Sequence, residues 1–376
     1  ATSLRNIGMN AFSGCTSLES ADLSKCVKLR FIGQNAFDSC SSLMGVKIPA
    51  SVENIGYRAF IGCRSDSFFV EVSPESTHYA SVNGSLYNFN KTILLKARNT
   101  AVVNIPMTVV SITDEAFHGC DLLESVSISD KITVIGDSAF NGCSNRAFHF
   151  IVEDANPNYA SIDGMLYSKN GKILIQGRNV DSYKAPANLT GISQGAYLRS
   201  KDLTKVDLSY ATGLQEIGSA AFQRCVKLES VAMSPGIKTI KNNAFAGCIL
   251  LSTVDLQTAV MLDTIEFNAF DGCRSLENIY ISSAVSKIGD NAFSGCIGKK
   301  FRFDVDILSN YYASVDGMLL DKDRKILIKA CNLEEVSVPS TVVKISDDAF
   351  GGFNYLKKVT KPASVEEVPP NAFFGC

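Results

Sequence analysis

Ile55-Gly56-Tyr57-Arg58-Ala59-Phe60-Ile61-Gly62-Cys63 decides the fold, because variants of this phrase return along the whole 376-residue chain. Its ring residue recurs as Phe12, Phe37, Phe60, Phe117, Phe140, Tyr197, Phe222, Phe245, Phe270, Phe293, Phe350 and Phe373. The steps between rings are 25, 23, 57, 23, 57, 25, 23, 25, 23, 57 and 23 residues, so only three lengths occur. A fixed period in this range marks stacked supersecondary units, each too small to bury its own apolar face and each completed by its neighbours. The expectation is one solenoid over residues 1–376 with about twelve coils, counted from the twelve rings.

Each part of the phrase has a physical reading. Five residues before every ring stands a β-branched residue, from Ile7 to Val368, which suits a short strand or extended corner facing inward. The Ala-Phe pair fits one turn of helix that the following Gly can end in a left-handed conformation. Downstream, Leu-x-x-Val-x-Ile, as in Leu43, Val46 and Ile48, ends with period 2 and predicts a strand with one buried face. Stacked in register, such coils form a β-rich α/β solenoid: a parallel sheet on one side, short helical turns, and a column of rings inside. Each buried Phe contributes roughly 2 to 3 kcal/mol.

Composition agrees. The chain is 46% hydrophobic and 20% charged with a formal net charge of −2, which argues against a nucleic-acid partner on bulk electrostatics. No apolar run reaches the roughly 18 residues of a membrane helix, and no basic-then-apolar leader is present. The chain opens in mid-phrase at Ala1 and stops at Cys376 directly after a ring turn, as expected of a fragment or a mature form trimmed of its ends.

Ten of the twelve cysteines sit three residues after a ring, and the other two coils carry Ser200 and Phe353 there. A position that accepts Cys, Ser or Phe is a packing site rather than a metal ligand or a required bridge. Zinc sites need paired ligands at short spacing, and no C-x-x-C occurs. Cys26 and Cys331 lie outside this ladder.

The 57-residue steps equal 23 plus 34, and the extra length holds a second repeat. It reads Tyr79-Ala80-Ser81-Val82-Asn83-Gly84, Tyr159-Ala160-Ser161-Ile162-Asp163-Gly164 and Tyr312-Ala313-Ser314-Val315-Asp316-Gly317. Asx-Gly between short apolar runs is a strong hairpin signal, because a type I′ turn needs positive φ at both positions. Three β-hairpin inserts are therefore expected near 73–100, 153–180 and 306–333, standing on the solenoid, with Phe68, Phe148 and Phe301 packing their bases.

The coil phrase and the Tyr-Ala-Ser-Val/Ile-Asp-Gly insert together resemble the BspA-like leucine-rich repeat surface proteins over essentially the whole chain. The resemblance departs at Tyr197 with Ser200, at Phe353, and at Lys361, where the strand pattern wants an apolar residue. It implies a right-handed leucine-rich repeat superhelix, an extracellular or cell-surface location, and adhesion to a protein partner such as a host extracellular-matrix or plasma protein. A glycan partner stays open, and the resemblance brings no catalytic residues.

The chain offers little chemistry of its own. Gly191-Ile192-Ser193-Gln194-Gly195 matches the hydrolase nucleophile elbow G-x-S-x-G, yet Ile192 fills the β-branched slot of a coil and Ser193 replaces its Gly. The histidines, His78, His118 and His149, stand on separate coils or inserts without recurring carboxylates. No phosphate-binding or dinucleotide motif is present, so neither catalysis, cofactor nor metal is expected.

Binding would use the residues between the two buried positions of each strand: Asp22, Lys47, Glu71, Ser127, His149, Asp207, Ala232, Asp255, Tyr280, Asp304 and Thr360. The run from Asp207 to Tyr280 is the longest without an insert. Asp207, Asp255 and Tyr280 are therefore the candidate binding face, since exposed Tyr anchors protein recognition. The competing reading is a structural spacer or scaffold in which the inserts carry recognition or self-association.

Overall fold

The computed structural model describes residues 2–376. They form two compact units, one reaching to Gly171 and including Gln176–Asn179, the other made of Lys172–Ile175 and Val180–Cys376.

In the first unit Asn6–Ile7, Phe31–Ile32 and Asn54–Ile55 pair in parallel, and so do Ser20–Asp22, Gly45–Ile48 and Phe69–Val72. A second pair of ladders joins Val102–Val103, Ser125–Ile128 and His149–Val152, and Ile93–Lys96, Ser111–Ile112 and Val134–Ile135. Each of these coils thus carries two strands, and parallel ladders run along two sides where one was expected. The β-branched slot makes the second ladder: Ile7 lies over Ile32 and Ile32 over Ile55, so shape-matched side chains stack while the amides pair.

The second unit repeats the scheme. Gly191–Ile192, Glu216–Ile217, Thr239–Ile240, Thr264–Ile265 and Lys287–Ile288 form one ladder. Ser182–Lys184, Lys205–Asp207, Ser230–Ala232 and Thr253–Asp255 form the other, while Asn278–Ile281 pairs with Arg302–Val305 in a separate sheet.

The expected helical turns are absent: no helix occurs among the described residues. The residue two before the ring explains why. Asn35, Arg58, Ala220, Asn243, Asn268 and Asn291 stand there at φ between 53° and 59°, and the residue two after the ring is left-handed as well, for example Gly247 at 74°. Two left-handed residues bracket every ring but the last, Phe373, and a helical turn cannot propagate through the first of them. The amides instead pair from coil to coil, so that Phe222 N–H donates to Ala244 O and Phe245 N–H to Ala269 O, both at 2.8 Å. Asparagine is common before the ring because its short polar side chain tolerates the left-handed region.

The rings stack inside. Phe222, Phe245, Phe270 and Phe293 follow one another at centroid distances of 5.2, 5.3 and 5.5 Å with nearly parallel planes. Inserts interrupt the column and close it with an edge: Phe303 meets Phe293 at 5.1 Å and 81°, and Phe150 meets Phe140 at 4.8 Å and 87°.

The cysteines do more than fill space. The thiols of eight of the ten ladder cysteines donate to the ring carbonyl of the coil before, as Cys225 to Tyr197 O and Cys248 to Phe222 O at 3.1 Å and Cys273 to Phe245 O at 3.2 Å, whereas Cys120, after an insert, turns to Arg98 O at 3.9 Å. All twelve are free, and only Cys15 and Cys376 are exposed. Burial pushes Cys63, Cys225 and Cys296 from 9.0 to about 12. The unfolded chain therefore releases these protons first, and stability is expected to fall as pH rises from about 9 to about 12. In the native state at neutral pH, iodoacetamide should modify Cys15 and Cys376, with the remaining cysteines reacting only after denaturation; mass spectrometry counts the adducts.

In each insert the strands flanking Asx-Gly run antiparallel, Tyr79–Val82 against Ser85–Asn88, Tyr159–Ile162 against Met165–Ser168, and Tyr312–Val315 against Met318–Asp321. The next strand does not stand on the coil but joins it: Leu94 pairs beside Ile112, Leu174 beside Ile192 and Leu327 beside Ile345. A recurring tyrosine closes the seam, its hydroxyl accepting the Ile55, Ile135 or Ile288 amide at 2.8 to 2.9 Å. These amides face the point where the ladder stops and would otherwise be orphaned. Lys361, misplaced by pattern, bends its ammonium to Val365 O at 2.7 Å.

Candidate functional site

Coil length shapes the outer face of the second unit. Ile217 follows Asp207 by ten residues and Ile265 follows Asp255 by ten, whereas Ile240 follows Ala232 by only eight. The longer coils carry their extra residues in the loop after the strand. Asp207 pins its loop through Oδ1, which accepts Ser209 N–H at 3.0 Å and Ser209 Oγ–H at 2.6 Å. Asp255 uses both oxygens, Oδ1 accepting Thr258 N–H at 3.2 Å and Oδ2 accepting Thr258 Oγ1–H at 2.5 Å. These are Asx-type turns, in which a short carboxylate replaces a backbone acceptor. The two acids thus brace the loops that hold Tyr210 and the exposed pair Val260 and Met261.

The short coil between them is drawn inward. A Cβ on Gly236 would lie 2.1 Å from Thr212 O, so only glycine lets this loop settle against its neighbour. Gly236→Ala is expected to cost about 1 to 3 kcal/mol in urea unfolding, because the loop must lift away.

Asp207, Ala232 and Asp255 are in register on adjacent strands, and the methyl of Ala232 between two longer side chains leaves a depression of about 500 Å³. Lys184, Lys205, Ser182, Ser230 and Thr253 complete its walls. Lys184 lies over the Tyr210 ring at 4.3 Å, and Lys205 is exposed in register between Ser182 and Ser230.

Of the three predicted site residues, the structure brings together Asp207 and Asp255. Tyr280 stands on the next coil, whose strand lies beside that of Asp255, but it does not line the depression. It belongs to the sheet of Asn278–Ile281 and Arg302–Val305, with its hydroxyl donating to Asp306 Oδ2 at 3.3 Å. Desolvation and the Asp306 charge push its phenol up. The outward column also needs one correction: Ile151, not His149, is in register with Ser127, and His149 turns its Nδ1 to Ala147 O at 2.9 Å. His149 and Ile151 face the same way two residues apart, so the outward position level with Ser127 lies one step further along the strand than the reading from sequence placed it. Ala232 went unnoticed as a feature because a small residue carries no chemistry. The alternation of 25- and 23-residue steps was its signal.

Ser193 sits in the coil ladder, its amide donating to Leu174 O at 2.9 Å, and no histidine belongs to its unit. Among the described residues no group of three or more metal-ligating side chains converges, and no helix is long and apolar enough to cross a membrane.

Stacked coils with paired parallel ladders and an interior of Leu, Ile, Val and Phe define a leucine-rich repeat β-solenoid. The chain belongs to the BspA-type leucine-rich repeat family, whose pattern it matches over residues 1–87, 87–173, 171–300 and 325–376. A leucine-rich cell surface protein from Faecalibacterium prausnitzii is similar in structure, with a TM-score of 0.52, 27% identity and coverage of 78% of this chain and 81% of that one. The pneumococcal vaccine antigen PcpA overlays with a TM-score of 0.45 at 20% identity, covering 99% of this chain and 70% of its own. A leucine-rich repeat protein from Eubacterium ventriosum gives 0.45 at 17% identity, over 78% of this chain and 85% of that one. No protein of curated function matches the sequence. Family and fold are those of repeat proteins used as interaction scaffolds.

Proposed function

We propose that the chain is a non-enzymatic cell-surface or secreted protein that mediates adhesion, holding a protein of the host or of a neighbouring cell on the face around Ala232. The observation that carries this reading is the depression itself: two braced loops and an inward third leave a preformed concavity on an otherwise regular sheet. A rigid concavity with polar walls orders few groups on binding, which favours affinity. The family and the cell-surface relative support the location.

The test is a binding screen against extracellular-matrix proteins, plasma proteins, mucins and glycans at physiological salt, with Ala232→Arg as control. Ala232 points outward, so the arginine should fill the depression and leave the circular dichroism spectrum unchanged. Binding to a protein is expected to weaken at least about tenfold in the variant. Equal binding by both chains would remove the site from this face, and binding confined to glycans would replace the protein partner.

A further inference from the structure

Three residues of one coil depart from the repeat, and all three close on one ion pair. Two places before the ring the other coils carry Asn, Arg, Glu, Ser, Gly or Ala, and this coil alone has an aspartate, Asp348. Directly after the ring it alone has a glycine, Gly351, and in the cysteine position it has Phe353. Stacking asks for none of these, since the other coils stack without them.

The partner of Asp348 is Lys329, which comes from the third insert and is buried. Its Nζ lies 2.9 Å from Asp348 Oδ2, donates to Asp348 O at 2.7 Å and stands 5.1 Å from the centre of the Phe353 ring. A Cβ on Gly351 would lie 1.7 Å from Asp348 Oδ1, so the missing side chain is what admits the carboxyl at this place. A third group is coupled to the pair. Burial, and then the Asp348 charge, push the Asp271 carboxyl up, with Lys329 opposing them. The enclosure holds an ammonium, a carboxylate in contact with it and a second acid disposed to keep its proton.

We infer that Lys329 and Asp348 join covalently, as an amide between Nζ and Cγ that locks the third insert to the following coil. The step is a condensation. The ammonium passes one proton to the carboxylate, which cancels both charges inside an enclosure that disfavours them. The amine lone pair then attacks Cγ, the Nζ–Cγ bond forms and one Cγ–O bond breaks. Water leaves with two of the three ammonium protons, and Asp271 assists the second proton transfer. No oxidant or cofactor is consumed. Between free groups in water the reaction is unfavourable, but groups fixed in contact gain an effective molarity of about 10⁵ to 10⁸ M.

The other inserts lack the complete set. In the first, Lys96 donates to His118 O at 3.2 Å while Glu115 pairs with Arg58, and the third insert has Asn291 where Arg58 stands. In the second, Gln176 and Gly195 hold the two places, so there is neither amine nor carboxyl. One bond per chain is expected. A pull that would peel the third insert from the next coil then loads an amide instead of an ion pair. Until the bond forms, the two side chains are the ion pair of the freshly folded chain, and its electrostatics are read on protein of undiminished mass.

Intact mass spectrometry of the native chain, followed from refolding over several weeks, tests the inference. The mass should fall by one water, about 18 Da. After digestion the peptides that carry Lys329 and Asp348 should travel as one species, and this is read on the unmodified chain, so the result does not depend on the variants folding. Lys329→Met and Asp348→Ala should keep the full mass. Asp271→Asn should lose water at least about tenfold more slowly with an unchanged circular dichroism spectrum, because an acid that aids proton transfer is gone. A native chain that keeps its full sequence mass throughout would overturn the inference. So would a loss of water that persists in Lys329→Met, since that marks a succinimide at Asp163-Gly164 or Asp316-Gly317 instead.

Discussion

Replacing Phe245 by alanine is expected to cost about 3 to 5 kcal/mol of unfolding free energy, the range for losing a fully enclosed ring without collapse of the site. Phe245 has no exposed surface and lies between Phe222 and Phe270 at 5.2 and 5.3 Å. The neighbours cannot close the gap, because each is fixed by its own coil-to-coil amide bonds and by a cysteine thiol on its carbonyl. Phe12 and Phe373 give the contrast. Each is 38% exposed and stacks on one neighbour, Phe37 at 5.0 Å and Phe350 at 4.6 Å, so alanine there should cost less than half as much. Chemical denaturation of the three variants measures the difference. Equal losses at all three sites would mean that support does not come from adjacent coils.

Asp348→Ala should cost about 3 kcal/mol or more, although it removes only a small polar side chain. Lys329 is buried, with 5% of its side chain exposed, and its ammonium lies 2.9 Å from Asp348 Oδ2 and donates to Asp348 O at 2.7 Å. Phe353 sits 5.1 Å away where other coils carry cysteine, and its ring closes the site. Removing the carboxylate leaves the cation in this enclosure with a carbonyl, a ring face and only the less direct attraction of the Asp271 carboxyl. The Asp348 side chain is itself 19% exposed, so water relieves part of the penalty, which places the loss toward the low end of the range for broken buried pairs. Asp348 also holds φ at 60°, which alanine tolerates less well. Asp348→Asn keeps the backbone preference and a hydrogen-bonding oxygen, and isolates the charge. Combining it with Lys329→Met should restore most of the stability, since an apolar pair of similar volume removes the stranded charge. A double variant no better than Asp348→Asn would show that the charge pair is not the source of the loss.

The first insert shows that such pairs are not demanded by the repeat. Lys96 is equally buried there but donates to His118 O at 3.2 Å, while Glu115, in the position of Asp348, instead pairs with Arg58. One backbone scheme therefore accepts two electrostatic solutions, chosen by which cation lies nearer. The spacing of the two lysines gives no hint of this.

Period and side-chain type were enough, on their own, to determine that this chain stacks. The ring every 23 or 25 residues, the β-branched slot five before it and the cysteine three after it can be satisfied together only if like lies over like, since an isolated coil leaves each of them exposed. The same pattern did not reveal the conformation between those anchors. Ala-Phe followed by Gly reads as a helical turn because both residues tolerate one. The left-handed residue two before the ring is set by amide pairing to the next coil, a long-range bond that no local window contains. The candidate face divided for the same reason. Asp207, Asp255 and Tyr280 occupy equivalent places in the repeat, yet the first two brace loops around Ala232 while Tyr280, one coil further on, turns its hydroxyl to Asp306 and does not line the depression. Equivalence along a chain specifies which residues point outward. Which of them share a surface depends on how far each loop rises and where each ladder breaks, and tertiary packing alone decided that.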